Sequence, residues 1–254
     1  MRTRSAFLVV LLWASPALAY RPFDGTDADV AETGEAELEM GPLGYYRLGQ
    51  TSFLTLPGVV LNYGAFHRVE FVLQTFNFVQ LGPLTGSPRD VLTDTAFNVK
   101  AVLREGCLQE KPGVSIATEI GALLPNINGE TGFGGSLAGI LSQCLDAVTL
   151  HYNAEVSYNL EQEIELFGSI IAEGPHRWVV RPVAEVYVDS QIPVGAAVPE
   201  QIGPSEIGNT TYSVLLGAIW RAAEKLDFDA AMRVASAAGL ANFEVRLGFS
   251  WAFR

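Results

Sequence analysis

Three histidines, two cysteines and a scatter of charged residues are the side chains in this chain that could do chemistry. His67, His151 and His176 stand far apart, without a His-Glu-x-x-His run or the Cys/His spacing that closes a zinc tetrahedron. No metal or cofactor site is expected, and each histidine reads as a turn or lumen residue. The glycine-rich stretch GETGFGGS lacks the Gly-Lys-Ser/Thr ending of a phosphate-binding loop. His151, Asn153 and Ser157 fall on one face of an alternating segment, but no His-x-Ser-Asn-Gly pattern accompanies them, so no catalytic residue is assigned. Asn209-Thr-Thr matches a glycosylation acceptor, a weak pattern.

What remains is a set of charges with a common placement. Lys100, Arg104, Glu119, Glu155, Arg181, Glu185, Glu244 and Arg246 all lie on the polar side of segments that alternate strictly between polar and apolar residues. Two readings are open. Such charges form a ladder that fills an enclosed interior and neutralises itself, or they ring a pore and tune which solutes enter. The ladder is the preferred reading, because eight-stranded barrels are filled and sixteen-stranded ones open, and this chain falls between.

The elements that carry these charges are strands. In NFEVRLGFSWAFR the positions Phe243, Val245, Leu247, Phe249, Trp251 and Phe253 are large and apolar, while Asn242, Glu244, Arg246, Gly248, Ser250 and Ala252 intervene. Period two puts these sets on opposite faces of one strand. LHYNAEVSYNL, WVVRPVAEVYVD and TAFNVKAVLRE repeat the pattern. Twelve such runs are predicted, over residues 35–47, 52–63, 69–80, 92–105, 113–124, 133–144, 148–160, 163–173, 177–189, 211–222, 226–235 and 242–253.

A strand with one greasy and one charged face stands between oil and water, either in a soluble sandwich or in a membrane barrel. Composition favours the barrel. Hydrophobic residues make up 49% and charged residues only 17%, against about 25% charged in ordinary soluble domains. No segment beyond the N-terminus approaches the roughly 20 apolar residues a spanning helix needs. Tyr45, Tyr46, Trp178, Tyr212, Trp220 and Trp251 collect near strand ends, as in interfacial girdles. Links leaving even-numbered strands are compact, whereas those leaving odd strands include SQIPVGAAVPEQIGPSEIGNT, although one near Glu161 is short. The fold class expected is therefore all-β, an antiparallel up-and-down transmembrane β-barrel of about 12 strands, with short links facing the periplasm. Surrounding lipid is then its partner.

MRTRSAFLVVLLWASPALA has Arg2 and Arg4 before an apolar run and ends on Ala17-Leu18-Ala19, the form of a cleaved secretory signal. Three regions follow: a signal peptide over 1–19, an irregular arm over 20–34, rich in Asp, Gly and Thr, and a barrel over 35–254. Export makes a Cys107–Cys144 disulfide possible, and two unpaired thiols equally so. Net charge of −12 excludes nucleic acid as a partner, since phosphate binding needs clustered Lys and Arg.

The arm and the first residues of the barrel carry a resemblance. RPFDGTDADVAETGEAELEMG is similar to the RP-x-x-TDDA-x-x-x-x-x-G-x-x-E-x-E opening of a Gram-negative outer-membrane β-barrel family labelled with the meta-cleavage (MetA) pathway of phenol degradation. Arg21, Pro22, Thr26, Asp27, Gly34, Glu37 and Glu39 carry the match, with Ala28 where a second Asp usually stands. LREGCLQ and RPVAEV resemble later family segments. The resemblance implies a transporter-like barrel passing small, hydrophobic or aromatic solutes, not an enzyme of the pathway. Outer-membrane barrels commonly end on an aromatic residue read by the barrel-assembly machinery, whereas Phe253 is followed here by Arg254. The alternatives are a closed structural or surface-interaction barrel, using the loop from Ile192 to Asn209; a secreted β-sandwich that binds ligands; and an outer-membrane esterase. Oligomeric state is silent in the sequence.

Overall fold

The computed structural model describes residues 21–48, 51–81, 90–127, 132–160, 162–194, 209–237 and 240–254. The proposed signal peptide and most of the long loop after Ile192 lie outside them. Twelve strands follow in chain order: β1 (Ala36–Leu48), β2 (Thr51–Phe66), β3 (Val69–Leu81), β4 (Asp90–Arg104), β5 (Ser115–Leu123), β6 (Gly134–Cys144), β7 (Thr149–Tyr158), β8 (Glu163–Glu173), β9 (Val180–Pro193), β10 (Asn209–Ala223), β11 (Leu226–Ala237) and β12 (Leu240–Phe253). Each pairs antiparallel with its sequence neighbours, and β12 returns to β1, with Ala36 opposite Phe253, to close one barrel. A sandwich is thereby excluded. Among the described residues no helix is long and apolar enough to cross a membrane.

Alternation fixes which side chains turn in and which turn out. On β10 and β11, Val214, Leu216, Met232 and Val234 face outward, Leu216 being 62% exposed, while Ser213, Leu215, Asp229 and Arg233 are buried inside. On β12, Leu247 and Trp251 are exposed and Asn242, Ser250 and Ala252 are buried. In water this outer belt would present far more apolar area than the few hundred Å² a soluble monomer tolerates, so hydrocarbon is the medium that satisfies it. Trp220, Phe228 and Phe249 contact one another in series, with ring centroids 5.7 and 6.3 Å apart, and Trp251 packs on Phe253 at 4.9 Å. These rings share one end of the barrel, termed here the even rim because links leaving even strands lie there. The opposite end is the odd rim.

Local chemistry moves some strand ends from their expected positions. β9 starts at Val180 rather than 177, because the Trp178 amide donates to the Pro175 carbonyl and closes a turn. β7 stops at Tyr158, where the Asn159 side chain accepts the Glu163 amide at 2.8 Å. The register of β4 against β5 shifts between Val102 and Arg104, with consequences for the site.

Candidate functional site: the lumen and the arm inside it

Residues 21–35 form no helix or strand, yet they include some of the most buried residues of the molecule: Ala28 at 0% and Asp27 at 3% exposure. The arm enters the barrel and runs along its inner wall near the even rim. A chain segment without its own ladder leaves every buried amide in need of an acceptor, and here the wall supplies several, while Asp27 and Asp29 of the arm accept the Asp29 and Val30 amides. Asp24 and Gly25 amides donate to the two carboxylate oxygens of Glu185 on β9, at 3.0 and 2.9 Å. The Thr26 amide donates to Asn153 Oδ1 on β7 at 3.0 Å, and the Ala28 amide to Ser142 Oγ on β6 at 2.9 Å. The Ala31 amide reaches Glu70 on β3 at 2.8 Å. The Gly34 amide donates to the Gly64 carbonyl of β2, whose own amide donates to Glu35 just before β1. The arm thus visits nearly the whole circumference.

Charges fix it at both ends. Arg21 Nε donates to Asp229 on β11 at 3.2 Å. A Cβ on Gly41 or Gly248 would overlap its guanidinium, so glycine at these wall positions makes room for Arg21. Arg246 of β12 donates to the Pro22 carbonyl at 2.7 Å and pairs with Asp24 at 2.9 Å, and Arg233 pairs with Asp24 as well. Lys100 of β4 donates to Thr26 Oγ1 at 3.1 Å and Asp27 Oδ1 at 3.2 Å. At the exit Lys225 holds Glu35 at 3.0 Å, and Arg254 pairs with Glu32 and Glu35.

Between the arm and the remaining wall lies a cavity of about 1130 Å³. Its lining mixes carboxylates with Phe76, Phe78, Phe167 and Tyr187, the last two rings 5.4 Å apart. Lys100, Glu119, Glu155, Glu244 and Arg246 border it. Glu119 accepts Asn98 Nδ2 at 2.7 Å, and Arg246 Nε pairs with Glu244 at 2.8 Å.

The other three of the eight charges do not border the cavity. Arg104 lies past the β4 register shift, so its side chain leaves the inner face and stands exposed at the even rim beside Gly113. Arg181 faces inward but is buried, with its Nε 2.7 Å from Glu173 and its Nη2 2.7 Å from Asp227. Glu185 is covered by the arm amides it accepts. Arg104 alone departs from the alternation, at a bulge; Arg181 and Glu185 keep the inward face and are covered there by protein.

Ser142 Oγ lies 2.7 Å from His151 Nδ1, and His151 Nε2 lies 3.8 Å from Glu173. Burial at 0% and 1% for Ser142 and His151 denies a substrate access, and Ser142 already accepts the Ala28 amide. Among the described residues no group of His, Cys, Asp and Glu side chains could hold a metal ion. The Cys107 and Cys144 sulfurs are at bonding distance with Cα atoms 5.9 Å apart, linking the β4–β5 connection to the end of β6 at the even rim.

Searches of family models and of curated proteins find no match to the chain. Solved structures do resemble it. The COG4313 outer membrane channel from Pseudomonas putida F1 superposes with a TM-score of 0.65 over 91% of this chain and 100% of that one, at 9% identity. The KdgM porin gives 0.49 over 85% and 99%, also at 9% identity. The likeness shows the fold alone. That fold is the closed all-β antiparallel barrel of outer-membrane proteins.

The charges singled out from the sequence thus divide into cavity lining, arm anchors and one rim residue. Missed altogether were the arm's own contacts and the anchors Glu70, Asn153, Asp229 and Arg233. A signal existed: Arg21, Pro22, Thr26 and Asp27, which carry the family resemblance, are arm residues that touch the wall.

Proposed function

We propose that the chain is an outer-membrane barrel through which small solutes, hydrophobic or aromatic ones among them, pass without energy input. The observation that carries this reading is the cavity of about 1130 Å³ inside a closed barrel, partly lined by Phe76, Phe78 and Phe167. A cavity of this size accepts a drug-sized molecule, and aromatic walls favour an apolar body. The protein from Pseudomonas putida F1, described as an outer membrane channel, supports the class of activity. The label of the resembling family adds phenolic compounds to the solutes worth testing. In this reading residues 1–19 are removed on export, the barrel-assembly machinery inserts the chain, and the even rim faces the periplasm. No role as an enzyme is proposed.

The arm favours a second reading, a closed structural barrel, because it occupies the even-rim half of the lumen. One experiment separates the two. Purified protein in planar bilayers and in swelling liposomes is expected to conduct ions and admit small phenols. Zero conductance together with no solute entry would overturn the channel.

A further inference from the structure

The inner wall carries a continuous diagonal row of residues. Register places Glu70 opposite Lys100, Lys100 opposite Glu119, Glu119 opposite Ala138, Ala138 opposite Glu155, Glu155 opposite Phe167 and Phe167 opposite Asp189. Neighbouring strands lie about 4.8 Å apart, so these are adjacent side chains on one face. All seven border the cavity. Because barrel strands tilt, a row perpendicular to them climbs the wall. Glu70 is the second residue of β3 counted from the even rim, whereas Asp189 is the tenth of β9. At about 3.3 Å per residue the row climbs roughly 26 Å along the strands. It is a ramp of carboxylates from the arm toward the odd rim.

The cations of the cavity do not balance this ramp. Arg21 is held by Asp229, Arg246 by Glu244 and Asp24, Arg233 by the same two carboxylates, and Lys100 by Asp27 and Glu70. Among the described residues no basic side chain is in ion-pair contact with Glu155 or Asp189. Phe167 lies between these two in the row, and its ring meets Tyr187. Carboxyl groups without a basic partner in the protein, Asp189 sharing a hydrogen bond with Glu165, attract cations inside low-dielectric walls, and aromatic faces favour organic ammonium groups.

We infer that the lumen selects cationic solutes, small organic ammonium ions in particular, with Glu155 and Asp189 setting the preference and Phe167 and Tyr187 receiving the apolar body. This rests on the channel reading and names its solute class. The test measures reversal potential in planar bilayers across a KCl gradient. It also measures binding of benzyltrimethylammonium and of benzenesulfonate to the micellar protein by calorimetry. The wild type is expected to favour potassium over chloride about tenfold, as acidic clefts concentrate counter-ions. The double variant Glu155→Gln, Asp189→Asn should bring that ratio toward one, and heat-modifiable migration on a detergent gel will show that it is folded. Conductance without cation preference, or unchanged preference in the folded variant, would overturn the inference while leaving the channel standing. Absent conductance would instead overturn the channel, and binding then decides the inference. Preference for benzyltrimethylammonium over benzenesulfonate, lost in the variant, supports it, and equal binding of both ends it.

Discussion

Replacing Glu185 by Ala should release the arm from the wall without opening the barrel. Glu185 accepts two arm amides, from Asp24 and Gly25, at 3.0 and 2.9 Å, one to each carboxylate oxygen. A hydrogen bond to a charged acceptor contributes about 1.5–3 kcal/mol, so the lower figure for each gives a loss of about 3 kcal/mol in arm docking. That corresponds to about a 150-fold shift toward the undocked arm. The contribution to strand pairing should be small, since β9 keeps its ladders to β8 and β10. Hydrogen–deuterium exchange of the micellar protein, read by mass spectrometry on peptides covering residues 22–31, would report the change. Faster arm exchange is expected in Glu185→Ala, with an intermediate effect in Glu185→Gln, and with strand amides and heat-modifiable migration unaltered. Arm exchange equal to wild type in a folded Glu185→Ala barrel would refute the idea that wall side chains hold the arm.

Reduction of the Cys107–Cys144 link, or Cys107→Ser, frees a loop with a sequence separation of 37 and should lower stability by about 3–4 kcal/mol in the chain-entropy model. Thiol titration of the oxidised protein should find no free thiol, and thermal unfolding in detergent checks the loss. Leu216→Arg puts a charge mid-strand on the lipid face and should cost about 2–4 kcal/mol, measurable by urea-dependent folding into lipid vesicles. Glu105, in the even-rim link after β4, has its carboxyl held below the usual range, first by the Lys111 hydrogen bond and then by the Arg68 charge. Its contribution is therefore present above the unfolded carboxylate pKa and lost as pH falls through the lower folded value. Acid should loosen the link between β4 and β5 in the wild type, and Glu105→Gln should remove that pH dependence, as followed by amide exchange of residues 105–113.

The charged residues show where reading of the chain succeeds and where it stops. Lys100, Glu119, Glu155, Glu244 and Arg246 border the cavity because period two alone decides the face of an unbroken strand. Arg104 departs because a single register shift reverses the face of whatever follows, and nothing in VLRE announces it. Arg181 is inward, as its face requires, but its partners Glu173 and Asp227 come from other strands.

The twelve amphipathic strands, their inward and outward faces and the positions of the links were written locally, because each follows from backbone geometry over a few residues. Closure of β1 on β12, the path of the arm and the diagonal carboxylate ramp were not. The Thr26 amide meets Asn153 across 127 residues of chain, and the Gly25 amide meets Glu185 across 160. Such contacts exist only once the barrel has curled the wall around the arm, and the shear of the closed sheet alone decides which charges become neighbours.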